Sequence, residues 1–204
     1  MSDALCPPPA VLAVSASLSP RSQTRAVVKL IAARLQEAGC AVDVLDMAEE
    51  SLPLFNPDSS HAAPGFGALR ARVERADVLL LGTPDYHGGM SGALKNFLDH
   101  FWKEFAGRLL APVVASQEKG LTVSDHIRTV ARQCYAWAMP YAMAFADGSD
   151  VKEGQVISET FAARIQMFVR DVRVYGGLLA RQRRLDLEGA EPGFLARYRA
   201  SKPV

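Results

Sequence analysis

The chain has 204 residues, and 23 lysines and arginines against 22 aspartates and glutamates give a formal net charge of +1 at pH 7. This length lets one α/β domain close a core without metals or disulfides, and the near-neutral charge argues against nucleic acid or a membrane surface as partner. The cysteines, Cys6, Cys40 and Cys134, are odd in number and lack metal-ligand spacing, so we expect a cytoplasmic protein in a reducing compartment.

Short apolar runs alternate along the chain with segments of helical periodicity, at about thirty residues per unit, as in parallel α/β proteins. The predicted strands are 11–15, 41–45, 78–81, 110–115 and 141–146. The predicted helices are 22–38, 66–73, 94–101, 123–137 and 161–179. Residues 10–180 are therefore predicted to form one domain, preceded by a disordered lead-in over 1–9 and followed by a tail or arm over 181–204.

The region around the third predicted strand carries the first candidate site. The apolar run 78–81 is typical of a strand buried on both faces, and Thr83-Pro84 is predicted to end it. Apolar residues then recur at helical spacing from Leu94 to Phe101. Because ligands bind where such loops leave the carboxyl ends of parallel strands, the polar loop between strand and helix is a candidate binding site.

The loop after the first strand is the second candidate. Hydroxyls and an amide crowd the start of the first helix, where free N–H groups favour an anion; they belong to Ser17, Ser22, Gln23 and Thr24. Arg21 and Arg25 lie at the same end, where a cation costs about 0.3–1 kcal/mol unless a phosphate is bound. The alternative is that Ser22 merely caps the helix and that both arginines face water.

Two motifs in these loops resemble a known family. Thr83-Pro84-Asp85-Tyr86-His87-Gly88, followed by Gly92-Ala93-Leu94-Lys95-Asn96 and Asp99, resembles the signature of the NADPH-dependent FMN reductase family. Its usual pattern is T-P-E-Y-N and then P-G-x-L-K-N-x-x-D, so this chain carries Asp85 for Glu, His87 for Asn and Ser91 for Pro. The first loop resembles the phosphate loop G-S-x-R-x-x-S-x-T, with Ala16 for the first Gly and Arg21 displaced by two positions.

The resemblance implies a flavodoxin-like three-layer sandwich, with a five-stranded parallel sheet of order 2-1-3-4-5 and helices on both faces. Residues 10–180 would then be an FMN-binding domain, with the flavin between strands one and three. The expected activity is hydride transfer from NADPH or NADH to FMN and then to a flavin, quinone, azo compound or similar acceptor. That chemistry belongs to the cofactor, so we expect no catalytic side chain and no metal.

The candidate cofactor-binding residues fall in three loops. The first loop would hold the phosphate with Ser17, Arg21, Ser22, Gln23 and Thr24. Backbone N–H groups of the second loop, from about Asp85 to Gly88, are expected to bond the edge of the ring; its candidates are Pro84, Asp85, Tyr86, His87 and Gly88. The third loop, after strand 110–115, offers Ser116, Lys119 and Gly120, for which an ordinary turn is nearly as good an interpretation.

Other functions and partners remain open from the sequence. A flavodoxin-like electron carrier is one alternative, although such carriers are usually strongly acidic. A serine hydrolase is a remote one, because Gly89-Met90-Ser91-Gly92-Ala93 is one residue from G-x-S-x-G. We also expect a homodimer or homotetramer through the helix 94–105. The tail that begins at Arg181-Gln182-Arg183-Arg184 is solvated or lies over a partner subunit, or else holds the 2′-phosphate of NADPH.

Overall fold

A mostly parallel sheet forms the centre of the structure, a computed structural model that describes residues 7–199. Most of the predicted lead-in and the last residues of the predicted tail lie outside that range. The sheet contains β1 (Ala10–Ser15), β2 (Ala41–Asp46), β3 (Val78–Tyr86), β4 (Gly89–Met90), β5 (Leu109–Ala115), β6 (Trp137–Ala138) and β7 (Met143–Phe145). A separate two-stranded hairpin follows, made of β8 (Val151–Lys152) and β9 (Gln155–Val156).

The strand order is β2-β1-β3-β5, followed by β6 and β7, which both pair in parallel with β5. This order agrees with the expected 2-1-3-4-5 arrangement, but the expected number of five strands is wrong, because the sheet has seven. The fifth position is divided into β6 and β7 around Pro140, which has no N–H to give to a ladder. The remaining strand, β4, folds back antiparallel on the end of β3.

The third strand does not end at Thr83-Pro84, as the sequence suggested, but continues to Tyr86. Pro84 pairs in register with Ala115 of β5. On its other side β3 pairs with β1 only as far as Gly82, opposite Ser15. Beyond Gly82 that side of β3 has no neighbouring parallel strand, and a sheet edge tolerates proline.

Helices cover both faces of the sheet. They are α1 (Gln23–Glu37), α2 (Phe66–Arg75), α3 (Gly92–Asp99), α4 (Leu121–Gln133), α5 (Glu159–Glu188) and α6 (Ala196–Arg199), with 3₁₀ turns at Ser60–Ala62 and Lys103–Phe105. Along β1, Val11 and Ala13 pack with α1 and α5, whereas Leu12 and Val14 pack with α2, α3 and α4. Both faces of the strand are thus buried, as its continuous apolar run indicated.

The last long helix extends nine residues beyond its predicted end at Leu179, to Glu188. Gly176 lies where it presses on the sheet, since a Cβ there would be 2.6 Å from Val78 Cγ2. After α5 the chain turns back, and Leu195 is only 2% exposed. No helix within residues 7–199 is long and apolar enough to cross a membrane.

Candidate functional site

Three loops meet at the carboxyl ends of β1, β3 and β5, which lie side by side in the sheet. The loop after β1 leads to α1 on one face, whereas the loops after β3 and β5 lead to α3 and α4 on the other. Chains that leave adjacent strands for opposite faces open a crevice between them, and this is where open α/β sheets bind ligands. The structure therefore brings the three predicted loops to one edge.

The loop between β1 and α1 has the chemistry of an anion site. Ser22 caps α1 by accepting a hydrogen bond from Arg25 N at 3.0 Å, and the first turn of the helix contains no acidic residue. Ser17 and Thr24 are buried, and Arg21 is exposed. Within residues 7–199, several N–H groups of the loop donate no hydrogen bond, and these belong to Ser17, Leu18, Ser19, Arg21 and Ser22. Free N–H groups at a helix start are suited to a phosphate.

Arg25 neither faces water nor lies free for a bound phosphate, which are the two alternatives that the sequence left open. Its guanidinium donates to the carbonyl oxygens of Ser17, Ser19 and Pro20 at 3.2, 3.0 and 3.3 Å. Its Nε lies 2.7 Å from Oδ2 of Asp46, a buried carboxylate at the end of β2. The cation thus belongs to the framework of the loop, and Asp46 is a partner that the sequence reasoning missed.

Gln23 also has a partner from elsewhere in the chain. Its Oε1 accepts a hydrogen bond from Gly154 N at 2.7 Å, so the first helical residue is tied to the turn of the β8–β9 hairpin. That turn consists of Glu153 and Gly154, both at positive φ. This bond uses only the acceptor oxygen of the Gln23 amide, so its NH₂ group could still donate to an anion.

The loop after β3 is a tight hairpin. Tyr86 pairs with Gly89, and the two residues between them, His87 and Gly88, have φ of 56° and 76°. Two consecutive positive φ angles are typical of a type I′ turn, which favours Asn-Gly because a side chain is strained there. Asp85 supports the turn by accepting a hydrogen bond from Gly88 N at 2.9 Å.

The expected donors for a flavin ring are therefore only partly available. The N–H of Gly88 is bonded within the hairpin, whereas that of His87 makes no hydrogen bond within the described part of the chain. Pro84 and Asp85 are half-buried beside the crevice, and the ring of Tyr86 is 56% exposed. The hairpin thus offers an exposed aromatic surface and the N–H of His87.

The third loop is connected to the second by a direct hydrogen bond. Ser116 Oγ donates to Oδ2 of Asp85 at 2.8 Å and accepts from Glu118 N at 3.1 Å. Lys119 is exposed at a φ of 65°. Gly120 starts α4 at a φ of 60°, and a Cβ there would be 2.7 Å from Val114 Cγ1. The geometry therefore requires a glycine at 120.

Ser91 has a structural role that the hydrolase alternative did not foresee. It is only 4% exposed, its Oγ donates to the Ala16 carbonyl at 2.7 Å, and the same oxygen caps α3 by accepting from Leu94 N. Its own N–H donates to Oγ1 of Thr83, a buried residue that the sequence reasoning also missed. A hydroxyl engaged in this way is not presented as a nucleophile at the crevice.

A parallel sheet with helices on both faces and a loop site between β1 and β3 defines a flavodoxin-like protein. Solved structures share this fold at low sequence identity. A flavoenzyme NAD(P)H:(acceptor) oxidoreductase from Paracoccus denitrificans aligns with a TM-score of 0.68 and 19% identity, covering 85% of this chain and 98% of that one. A flavodoxin from the domain Archaea aligns with a TM-score of 0.55 and 13% identity, covering 82% and 97%.

The family follows from the sequence comparisons. Residues 9–150 match the model of the NADPH-dependent FMN reductase family, and the chain belongs to that family of oxidoreductases, as its loop motifs indicated. An FMN-dependent NADPH-azoreductase of Staphylococcus haemolyticus (strain JCSC1435) is 30% identical over 166 residues, which are 74% of this chain and 86% of that protein. An NADPH azoreductase of Bacillus sp. (strain OY1-2) is 31% identical over 157 residues, 75% and 84% of the two chains.

Proposed function

We propose that the chain binds FMN across the three loops and uses it to carry electrons from NADPH or NADH to a small acceptor such as an azo compound, a quinone or a free flavin. The observation that carries the proposal is the meeting of two different surfaces at one switch point. One is a helix start with free N–H groups, and the other is a rigid hairpin with an exposed aromatic side chain.

The residues present fit the cofactor. The phosphate would lie at the start of α1, where Ser17, Ser22, Thr24 and the free N–H groups supply donors and the first turn contains no acidic residue. The ring would lie against the β3–β4 hairpin and the third loop. The hydrogen bond from Ser116 to Asp85 connects this hairpin to the third loop. When bound, FMN accepts a hydride from the nicotinamide and passes electrons to the acceptor.

The protein's part in this reaction is binding and orientation. Two polar side chains at the crevice have structural partners: Asp85 is engaged by Gly88 and Ser116, and Ser91 is buried under α3. Within residues 7–199 no group of three or more histidine, cysteine or acidic side chains could hold a metal ion.

The test is an absorbance spectrum of the purified protein after addition of FMN and desalting, followed by anaerobic NADPH and then an azo dye or a quinone. We expect a retained flavin band that bleaches with NADPH and returns when the acceptor is added. A band that is retained but does not bleach with NADPH or NADH would favour an electron carrier. No retained band and no NADPH oxidation with excess FMN would contradict the proposal.

We also propose a homodimer or homotetramer through the segment 94–105. This segment is not one helix, as the sequence suggested, but most of α3 followed by the 3₁₀ turn Lys103–Phe105. Its phenylalanines, Phe97, Phe101 and Phe105, are buried in the core of the same chain. An interface must therefore use the opposite face, where Lys95 and Asp99 form an exposed ion pair and Trp102 is 57% exposed. Light scattering of the wild-type chain and of Trp102→Ala would test it, with a lower mass expected for the variant.

A further inference from the structure

The contacts of Arg25 suggest a role that differs from binding an anion directly. One guanidinium joins three carbonyl groups of the β1–α1 loop, those of Ser17, Ser19 and Pro20. Asp46 is ion-paired with the guanidinium, and Oδ1 of Asp46 accepts a hydrogen bond from Ala48 N at 3.2 Å. A single side chain thus sets the directions of three peptide groups in a loop without regular structure.

Peptide geometry carries this effect to the other side of the loop. In a trans peptide the C=O and the N–H point in opposite directions. The carbonyl of Ser17 belongs to the same peptide as the N–H of Leu18, and the carbonyl of Pro20 to the same peptide as the N–H of Arg21. By turning these carbonyls toward itself, Arg25 directs both N–H groups away from itself, and both are free of hydrogen bonds within residues 7–199.

The sheet topology places Arg25 on the far side of the loop from the ring site. Asp46 ends β2, which pairs with β1 opposite the side on which β3 pairs. The hairpin after β3 and the third loop after β5 lie on that other side. The Arg25–Asp46 pair thus supports the loop from the β2 side, while the N–H groups point away from it.

We infer that Arg25 is a positioning residue for the phosphate of FMN: it orients the N–H groups of Leu18 and Arg21 from behind the loop, and Asp46 holds it there. This inference rests on the proposed function, because it assumes that FMN is the ligand. Asp46 offsets the charge of Arg25, so the attraction for the phosphate comes from the N–H groups and the start of α1.

The experiment compares the affinities for FMN and riboflavin, which lacks the phosphate, by quenching of flavin fluorescence in wild type, Arg25→Gln, Arg25→Lys and Asp46→Asn. We expect Arg25→Gln to weaken FMN binding about 10- to 100-fold, since two charge-assisted hydrogen bonds lose their orientation, and riboflavin binding less than about threefold. Arg25→Lys should not restore FMN affinity, because one ammonium cannot span three carbonyls and a carboxylate. Asp46→Asn should also weaken FMN binding. In the double variant of Arg25→Gln and Asp46→Asn, the loss of FMN affinity should be smaller than the sum of the two single losses in free energy.

The matched control is Lys29→Gln, which removes the same charge 3.5 Å from Asp46 without touching a loop carbonyl. Its FMN affinity should stay within about threefold of wild type if orientation rather than charge is responsible. Wild-type FMN affinity in Arg25→Lys, or tighter FMN binding by Asp46→Asn, would show that Arg25 contacts the phosphate directly and would overturn the inference. If Arg25→Gln does not fold, as judged by circular dichroism, Asp46→Asn and Arg25→Lys decide between the same two results.

The wild-type chain separates this inference from the proposed function. A wild type that binds no FMN overturns both. Wild-type FMN binding with unchanged affinity in the Arg25 and Asp46 variants overturns only the role of Arg25. An equal loss of FMN and riboflavin affinity in Arg25→Gln would also overturn it, because a change in the phosphate site alone leaves riboflavin binding intact.

Discussion

The two loops that flank the switch point are held by different means. The β1–α1 loop takes its shape from a charged side chain, since Arg25 binds its carbonyl groups and Asp46 binds Arg25. The β3–β4 hairpin takes its shape from backbone geometry, a two-residue turn at positive φ that Asp85 closes. The first loop therefore leaves N–H groups free for an anion. In the hairpin, by contrast, the N–H of Gly88 is bonded to Asp85, and the ring of Tyr86 is exposed.

This difference predicts how each loop responds to substitution. A change behind the first loop should affect only ligands with a phosphate, because in the proposed site the ring lies against the other two loops. A change in the second loop should weaken FMN and riboflavin alike, since both carry the ring. The ratio of the two affinities therefore identifies the loop on which a substitution acts.

The largest effect is expected at Gly82, which underlies both loops. A Cβ at this position would overlap Val28 Cγ2 of α1 and lie 3.1 Å from the carbonyl oxygen of Val14. Gly82→Ala should lower the free energy of unfolding by about 3 kcal/mol, because α1 must move away from a packed sheet. Urea denaturation followed by circular dichroism measures this.

The control for Gly82→Ala is Gly67→Ala, since Gly67 lies in α2 with open space around its Cβ position. Alanine at this helical position should stabilise the chain by about 0.5–1 kcal/mol. Equal stabilities for wild type and Gly82→Ala would contradict the close approach of α1 to β3.

The next largest effect is expected for Asp85→Ala, which breaks the hairpin's support and its connection to the third loop. It removes the acceptors of Gly88 N and Ser116 Oγ together. We expect a loss of about 2 kcal/mol in the free energy of unfolding and roughly tenfold weaker binding of both FMN and riboflavin. Thermal melts and flavin fluorescence titrations measure the two quantities.

Ser116→Ala is the matched control, because it removes only the bond between the loops. It should show about half the loss of stability, since the bond from Gly88 N remains. A loss of affinity confined to FMN in Asp85→Ala would mean that the hairpin does not hold the ring.

Much of the fold was predictable because its signals are local. Continuous apolar runs marked β1, β3 and β5, and helical spacing marked α1, α3 and α5. The division of the fifth position into β6 and β7 and the hairpin after β7 were not predicted, because two-residue strands carry no periodicity. The end of α5 was also missed, since its last turns are polar and pack only partly.

The candidate site was predictable to the level of its loops but not of its contacts. The motifs located the hairpin and the helix start, and no short pattern could show that Asp46 pairs with Arg25 or that Gly154 binds Gln23. Both contacts join segments far apart in the sequence. Thr83 was visible as the end of a strand and the first residue of a motif, but neither showed that its hydroxyl accepts a hydrogen bond from Ser91 N. The predicted binding residues themselves stay predictions, which measurements of flavin binding test.

A smaller effect is expected at Gln23, whose side chain could serve either the bond to the β8–β9 hairpin or the phosphate. Gln23→Ala should cost about 1 kcal/mol through the lost bond to Gly154 N, and change FMN affinity less than about threefold. Gln23→Glu keeps the acceptor for Gly154 N but adds a negative charge beside the phosphate. It should retain the stability of wild type and weaken FMN binding by about three- to tenfold, with the affinity for riboflavin unchanged.

Those measurements assign Gln23 to the hairpin or to the phosphate. If Gln23→Ala weakens FMN as strongly as Arg25→Gln does, the amide binds the phosphate and the tie to Gly154 is secondary. If neither variant changes stability, the β8–β9 hairpin is not fixed by this bond.

The smallest effect is expected at His87, where the turn geometry and the residue disagree. His87 has a φ of 56° at the first position of a type I′ turn, which favours asparagine. His87→Asn should therefore raise the free energy of unfolding by about 0.5 kcal/mol, because asparagine adopts positive φ at lower cost. The affinities for FMN and riboflavin should both be unchanged, since the N–H of residue 87 is retained.

His126→Asn is the control, as His126 lies exposed within α4, and no gain is expected there. A loss of stability in His87→Asn would mean that the imidazole makes a contact stronger than the strain it causes, and the hairpin would then depend on a side chain as the β1–α1 loop does.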